Sequence, residues 1–146
     1  MSASVFMQIG NLFMGGILRT PLHGMLSGNT MLVMVRGRKS GKPITTPVNY
    51  TREGNVIRAT SLRGRTWWRN LRGGAEVTLR LQGRDLTGRG TVVEDEASVT
   101  TELTAHLRAA PQMAQYMGVT LDADGQPKRA AVERLARERV VVRIVV

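Results

Sequence analysis

Between Arg36 and Arg72, ten cationic side chains (Arg36, Arg38, Lys39, Lys42, Arg52, Arg58, Arg63, Arg65, Arg69 and Arg72) face a single acid, Glu53. Arg19 is the only charge before this stretch, and from residue 73 onward ten basic residues balance ten acids. The formal net charge of +10 is therefore concentrated in one quarter of the chain. Interleaved with the cations are Gly37, Gly41, Pro43, Pro47 and the adjacent pair Trp67-Trp68. Guanidinium and ammonium groups attract phosphates and carboxylates, glycines let the backbone turn close to an anion, and indoles offer flat faces. Together they point to a ligand that is a polyanion with an aromatic part.

The densest segment is GRKSGKP, residues 37–43. Arg38, Lys39 and Lys42 supply charge-assisted donors there, Ser40 adds a hydroxyl, and Gly37 and Gly41 permit a turn whose own N–H groups can face an anion. By composition alone, the same run also reads as a solvated hairpin tip. It is not a P-loop: Pro43 follows Gly41-Lys42, and the first glycine stands one residue too close. No GxGxxG follows a strand. The absence of cysteine excludes disulfides, thiolate metal sites and a cysteine nucleophile. His23 and His106 are the only imidazoles, so no metal site is expected. No nucleophile elbow surrounds Ser40, and no acid–base dyad is assigned.

These groups must be positioned by a scaffold, and the periodicity of the chain outlines one. Met1 to Leu18 is apolar and methionine-rich, and Val5, Ile9, Leu12 and Phe13 follow helical spacing, which predicts an N-terminal helix within residues 1–20. Gln8, Gly10, Asn11, Gly15 and Gly16 interrupt any membrane-length apolar run, and no basic leader precedes it, so a cytoplasmic protein is expected. Such a helix packs on its own domain, covers a hydrophobic substrate or touches a membrane weakly. The barrel strands fall within residues 30–94. Thr30–Val35, Ile44–Thr51, Val56–Ser61, Glu76–Leu81 and Leu86–Val93 read as strands, with Pro47 marking an edge or bulge. Thr66 to Leu71 reads as one or two helical turns capped by Thr66 and stopped by Gly73-Gly74. Helices follow in 95–137 (Asp95–Leu107, Pro111–Tyr116 and Ala130–Arg137), and residues 138–146 hold a final strand over Val140–Val146. Short turns between strands disfavour a βαβ fold. The expectation is one α+β domain over 1–146: a small barrel of about six mostly antiparallel strands, with helices at both ends.

MLVMVRGRKSGKPITTPVNYTREGN, followed by TWWRNLRGGAEVTLRL, resembles the deazaflavin-dependent nitroreductase and quinone reductase family. The resemblance covers about Pro21 to Glu94, and its most specific parts are GRKSG, the TTP after it and W-x-x-N-L before a strand. It implies a split β-barrel, similar to flavin reductases and proteins that bind flavin mononucleotide, using the deazaflavin coenzyme F-420. It also implies hydride transfer to a quinone, nitroaromatic or similar unsaturated acceptor. Carried onto this chain, it places the anionic tail near Arg38, Lys39, Ser40 and Gly41. Pro47, Val48 and Asn49 would line the ring, and Thr60, Ser61 and Arg63 would meet the phosphate or the ring edge. Trp67 and Asn70 would flank the pocket, and Tyr116 would stand on the substrate side. Ile44 replaces a basic residue common in relatives, the loop Arg63-Gly64-Arg65-Thr66 is short, and Asn49 stands where several relatives carry an apolar or aromatic side chain.

The resemblance and the charge pattern agree. This cofactor carries a phosphodiester and a tail of glutamates on a flat tricycle, and its own ring supplies the hydride chemistry. Two indoles side by side point to different faces of a helical turn; Trp67 is the site candidate and Trp68 the core residue. Two other classes remain open. One is a related barrel holding flavin mononucleotide (FMN), haem or lipid without reductase activity. The other is a basic nucleic-acid module with the tryptophans as stacking platforms, although no specific nucleic acid is expected because the charges cluster on a turn. A small-molecule hydride acceptor and a monomer or homodimer complete the expectation.

Overall fold

A computed structural model describes residues 30–146 of the chain. The helix expected within residues 1–20, and His23, lie outside the described residues. Six strands form a closed barrel: β1 (Thr30–Arg36), β2 (Pro43–Glu53), β3 (Val56–Leu62), β4 (Ala75–Leu81), β5 (Arg84–Val93) and β6 (Arg139–Val145). They run in the order β1-β2-β3-β6-β5-β4, and every ladder is antiparallel. A 3₁₀ helix, Trp67–Leu71, links β3 to β4. Helices α1 (Glu96–Ala109), α2 (Gln112–Tyr116) and α3 (Arg129–Glu138) lie between β5 and β6.

The strand pattern follows from which residues must leave water. Met31, Val33 and Val35 of β1 enter the barrel core with Val48, Tyr50, Ile57, Val77, Leu79 and Ile144. Leu32 and Met34, on the other face of β1, are also buried, so TMLVMV is apolar without alternation. Turns are tighter than the sequence pattern indicates. Gln82 and Gly83 both have positive φ (47° and 76°), so two residues join β4 to β5 where a four-residue turn is expected. Gly88 and Gly90 of β5 face inward, where a Cβ at Gly88 would lie 2.7 Å from the Val145 carbonyl oxygen. Removing those side chains lets the β5–β6 corner close.

Pro47 pairs only with Leu32 of β1, in a part of β2 with no partner on its other side. That edge position tolerates a residue without an N–H. Thr66 stands at the N-cap of the 3₁₀ helix but makes no side-chain cap hydrogen bond, contrary to the expected Thr66 cap. A tight 3₁₀ turn leaves fewer orphan donors for a cap than an α-helix does. Asp95, expected as the first helical residue, instead caps α1, accepting from the Ser98 N–H at 2.9 Å.

A second cluster joins α1, α2 and α3 through Val99, Leu103, Leu107, Met113, Val132 and Leu135, with Val141 of β6 beneath. Polar contacts fix α1 to the barrel wall. Glu102 pairs with Arg58 of β3, and the His106 ring meets the Thr51 hydroxyl of β2 at 2.9 Å. Helix α1 and the barrel thus share one wall, formed by β2 and β3.

Candidate functional site

Strands β2 and β3 pair only from Tyr50–Glu53 to Val56–Ala59. Beyond that point they part: Pro43–Asn49 pair with β1 alone, and Thr60–Leu62 with β6 alone. The barrel is split there. On one lip are Thr46, Pro47 and Val48; on the other are Thr60 and Ser61. The 3₁₀ helix sits at this split, with both indoles buried and tied to β3. Trp67 donates its N–H to the Ser61 hydroxyl at 3.1 Å, and Trp68 donates to the Leu62 carbonyl at 3.2 Å. Arg65, in the short loop before them, reaches across to the Thr46 hydroxyl at 3.2 Å.

GRKSGKP forms the turn from β1 to β2, at the end of this lip. Gly37 N–H donates to the Lys42 carbonyl, Gly41 N–H to the Gly37 carbonyl, and Lys42 N–H to the Ser40 hydroxyl oxygen. A Cβ at Gly37 would lie 2.7 Å from that hydroxyl, and Gly41 has φ +70°, so both glycines are required by the geometry. Arg36 closes the turn by donating to the Gly41 carbonyl at 2.6 Å. Asn70 holds the turn from outside: its side-chain oxygen accepts the Arg38 N–H at 2.9 Å while its amide donates to the Trp67 carbonyl at 2.9 Å. With those N–H groups engaged, the ones left at the tip belong to Lys39 and Ser40.

The basic band separates into engaged and available cations. Arg58 is paired with Glu53 and Glu102, and Arg52 donates to the Gly54 carbonyl. Arg63 donates to the carbonyls of Glu94 and Ala136, which ties β3 to the helical layer. Arg72 binds Glu94 through both oxygens, and its hydrogen bonds hold that carboxyl below its ordinary pKa. Arg69 and Arg72 also lie 5.6 and 5.2 Å from the Trp68 ring centre. Arg38, Lys39 and Lys42 remain exposed, with no acid paired to them among the described residues.

The structure brings Arg38, Lys39, Ser40 and Gly41 onto one turn, with Asn70 and Trp67 directly behind it. Pro47, Val48, Thr60 and Ser61 border the split. The Asn49 side chain accepts from the Thr30 hydroxyl at 2.9 Å, and Thr60 accepts from Arg139 at 3.3 Å. Arg63 is committed to backbone carbonyls of the helical layer. Tyr116 stands on α2, 85% exposed, with no hydrogen bond to the other candidates. Sequence reasoning missed Thr46 and Arg65, which span the split; the only signal was that both sit inside the charged, TTP-containing stretch. An open groove of about 830 Å³ lies elsewhere, between α1 and α3, and none of the candidate residues lines it. Its walls are Thr, Ala and mixed charges, without the cation excess of the turn.

No group of three or more acidic or imidazole side chains among the described residues could hold a metal. Nor is any described helix long and apolar enough to cross a membrane.

The sequence pattern of F420H(2)-dependent quinone reductase matches residues 15–120, well over half of the chain. The chain belongs to that family. No curated protein matches it in sequence. Among solved structures, a conserved hypothetical protein from Mycobacterium tuberculosis superposes with TM-score 0.57 at 20% identity, covering 83% of this chain and 74% of that one. A FAD-binding protein from Mesorhizobium loti gives 0.53 at 15% identity, covering 87% and 89%. A protein of unknown function from Agrobacterium tumefaciens str. C58 gives 0.54 at 15%, with 81% of this chain spanning 48% of that one. At such identities the likeness is one of fold, and it establishes the split barrel for this member of the quinone reductase family.

Proposed function

We propose that this chain binds reduced coenzyme F-420 in the split between β2 and β3 and delivers its hydride to a quinone, a nitroaromatic or a similar unsaturated acceptor. The observation that carries the reading is the glycine turn with Arg38, Lys39 and Lys42 unpaired by acids among the described residues, set beside the place where β2 and β3 part. Bound there, the deazaflavin supplies the hydride chemistry itself. The chain's own residues supply position. Arg38, Lys39 and Lys42, with the N–H groups of Lys39 and Ser40, meet phosphate and carboxylate oxygens. Pro47, half-buried on the face of β2 opposite the core residue Val48, offers apolar contact to a flat ring, and the buried Trp67 and Ser61 close the far side against water. Fixed donors and a dry wall fit a polyanion joined to a tricycle at both ends.

Nothing in this arrangement requires a general acid or base from the protein. The acceptor is a small molecule, and a cytoplasmic enzyme acting as monomer or homodimer is consistent with the reading.

A fluorescence titration with coenzyme F-420, run beside FMN, tests the proposal. Micromolar binding of the deazaflavin, lost in Arg38→Glu and Lys39→Glu, followed by quinone-dependent oxidation of the reduced cofactor, is the expected result. A folded protein that binds FMN or haem and ignores the deazaflavin overturns it. Salt-sensitive binding of oligonucleotides alone would do the same.

A further inference from the structure

Thr60 stands where β3 has parted from β2 and pairs with β6 alone. Ala59 lies in the barrel core and Ser61 turns inward to meet Trp67, so Thr60 between them faces outward. Its hydroxyl oxygen accepts from the Arg139 guanidinium at 3.3 Å. A guanidinium only donates, so the Thr60 proton points away from Arg139, and no described residue accepts it. Arg139 opens β6 opposite Leu62, half-buried, with no acid paired to it among the described residues. Its Nε is buried and also lacks a partner among them. Glu102 and Glu94 are engaged instead by Arg58 and Arg72, and Glu138, its chain neighbour, is exposed. The charge of Arg139 reaches the buried His106 ring, where, after burial itself and Arg58, it opposes protonation. A hydroxyl that accepts from a cation becomes a stronger donor in turn. Leu62, the next outward residue of β3, is 49% exposed and sets an apolar surface beside that donor.

We propose that the Thr60 hydroxyl, backed by Arg139, forms an oxyanion subsite for the hydride acceptor, with Leu62 against the acceptor's apolar body. This rests on the deazaflavin reading and assigns its substrate side. Under that reading an acceptor gains a hydrogen and two electrons from the reduced deazaflavin, which is thereby oxidised. An electron pair shifts onto the acceptor's oxygen, and water then protonates that oxygen. A fixed donor aimed at the developing charge binds it more strongly as it grows. Arg139 is the positioning residue: it sets the direction of the Thr60 proton and polarises it. Quinones and nitro compounds carry such an oxygen on a flat apolar body; acceptors without one at the reacting end would leave the Thr60 proton unused.

A phenolate stands in for the reduced acceptor, because its oxygen carries the same charge on a flat ring. The absorbance of para-nitrophenol is titrated with pH, with the protein alone and with coenzyme F-420 added, so the readout does not depend on turnover. Wild type should bind the phenolate about tenfold more tightly than the neutral phenol, and the pKa of the bound phenol should fall to match. Thr60→Ser should keep that preference and Thr60→Val should abolish it. Arg139→Met should reduce it to about twofold, with Arg139→Lys in between. In turnover with a quinone, Thr60→Val should lower kcat about tenfold while deazaflavin affinity holds. No phenolate preference in wild type, or an equal one in Thr60→Val, overturns the inference and leaves the cofactor reading intact. If no deazaflavin binds, the cofactor reading falls, and the phenolate titration of the protein alone still decides the subsite. Circular dichroism shows whether Arg139→Met folds; the near-isosteric Thr60→Val and Thr60→Ser carry the test if it does not.

Discussion

The side-chain oxygen of Asn70 accepts the backbone N–H of Arg38 at 2.9 Å, joining two residues 32 positions apart. This one hydrogen bond couples the cationic turn to the 3₁₀ helix that carries Trp67 and Trp68. Asn70 therefore fixes the backbone from which Arg38 and Lys39 project, and under the proposed function it would act on the ligand through the turn.

Asn70→Ala should leave the Arg38 N–H and the Trp67 carbonyl without their partner. The Arg38 bond is exposed and the Trp67 bond part-buried, and such bonds contribute about 1 kcal/mol or less each, so a modest fall in stability is expected. Deazaflavin affinity should drop by about tenfold through the loosened turn, with little effect on turnover at saturating cofactor. Titration and steady-state kinetics on the same variant separate the two. Unchanged affinity would mean that the turn holds its shape without Asn70.

Gly74→Ala is penalised chiefly through its backbone, since the exposed Arg89 side chain can move aside. The residue has φ +88°, a region that costs a side chain about 1 kcal/mol or more, and the new methyl would displace Arg89. A loss of about 1–2 kcal/mol in denaturant unfolding is expected. Gly64→Ala in the nearby loop is the control. Its Cβ would meet nothing within 4 Å and its φ is not positive, so its effect should stay within about 0.5 kcal/mol.

Glu102 of α1 is the acid that accompanies Arg58 into the contact between helix and barrel, with side-chain exposures of 21% and 13%. Glu102→Leu should leave Arg58 with only the more exposed Glu53. Stability should fall by about 1–2 kcal/mol, less than for a fully buried pair broken on one side, because Arg58 keeps Glu53. The double variant with Arg58→Leu should recover much of that loss, since the charges then left unpaired, Glu53 and Arg143, have the more exposed side chains. Recovery that fails to appear in a double-mutant cycle would place the cost in packing instead.

Much of this molecule can be read from its sequence, and what resists has a physical reason. The barrel strands announce themselves because β-branched and aliphatic runs end at Gly54 and Gly83, whose turns need positive φ. GRKSG is legible as a turn because Gly37 and Gly41 bracket its charges, whereas composition alone also allows a solvated hairpin tip. The missing N-cap bond at Thr66 is not, since a 3₁₀ turn and an α turn share the same local preferences. Arg65 reaching Thr46 and Arg89 reaching Gly73 depend on the way the barrel closes, and no local pattern encodes a closure. The same limit applies to the cations: composition counts ten, but only tertiary contacts reveal that Arg58, Arg63 and Arg72 are engaged elsewhere.

His106 supplies a pH dependence with a definite sign. Its ring is fully buried between α1 and the barrel, bonded through Nδ1 to Thr51, with no partner for Nε2 among the described residues. Burial, reinforced by the positive charges of Arg58 and Arg139, lowers its pKa from 6.5 to about 4. The folded state thus resists a proton that the unfolded chain accepts. Stability should be undiminished above pH 6.5, fall as pH drops toward 4, and stop changing on this account below that. The span corresponds to about 3 kcal/mol. In His106→Gln, whose amide can still reach the Thr51 hydroxyl, this component of the slope should vanish while the carboxylate contribution from the Glu94–Arg72 pair persists at lower pH. Urea unfolding of both proteins at several pH values between 4 and 7 measures the difference. Parallel curves would show that His106 does not titrate against the fold.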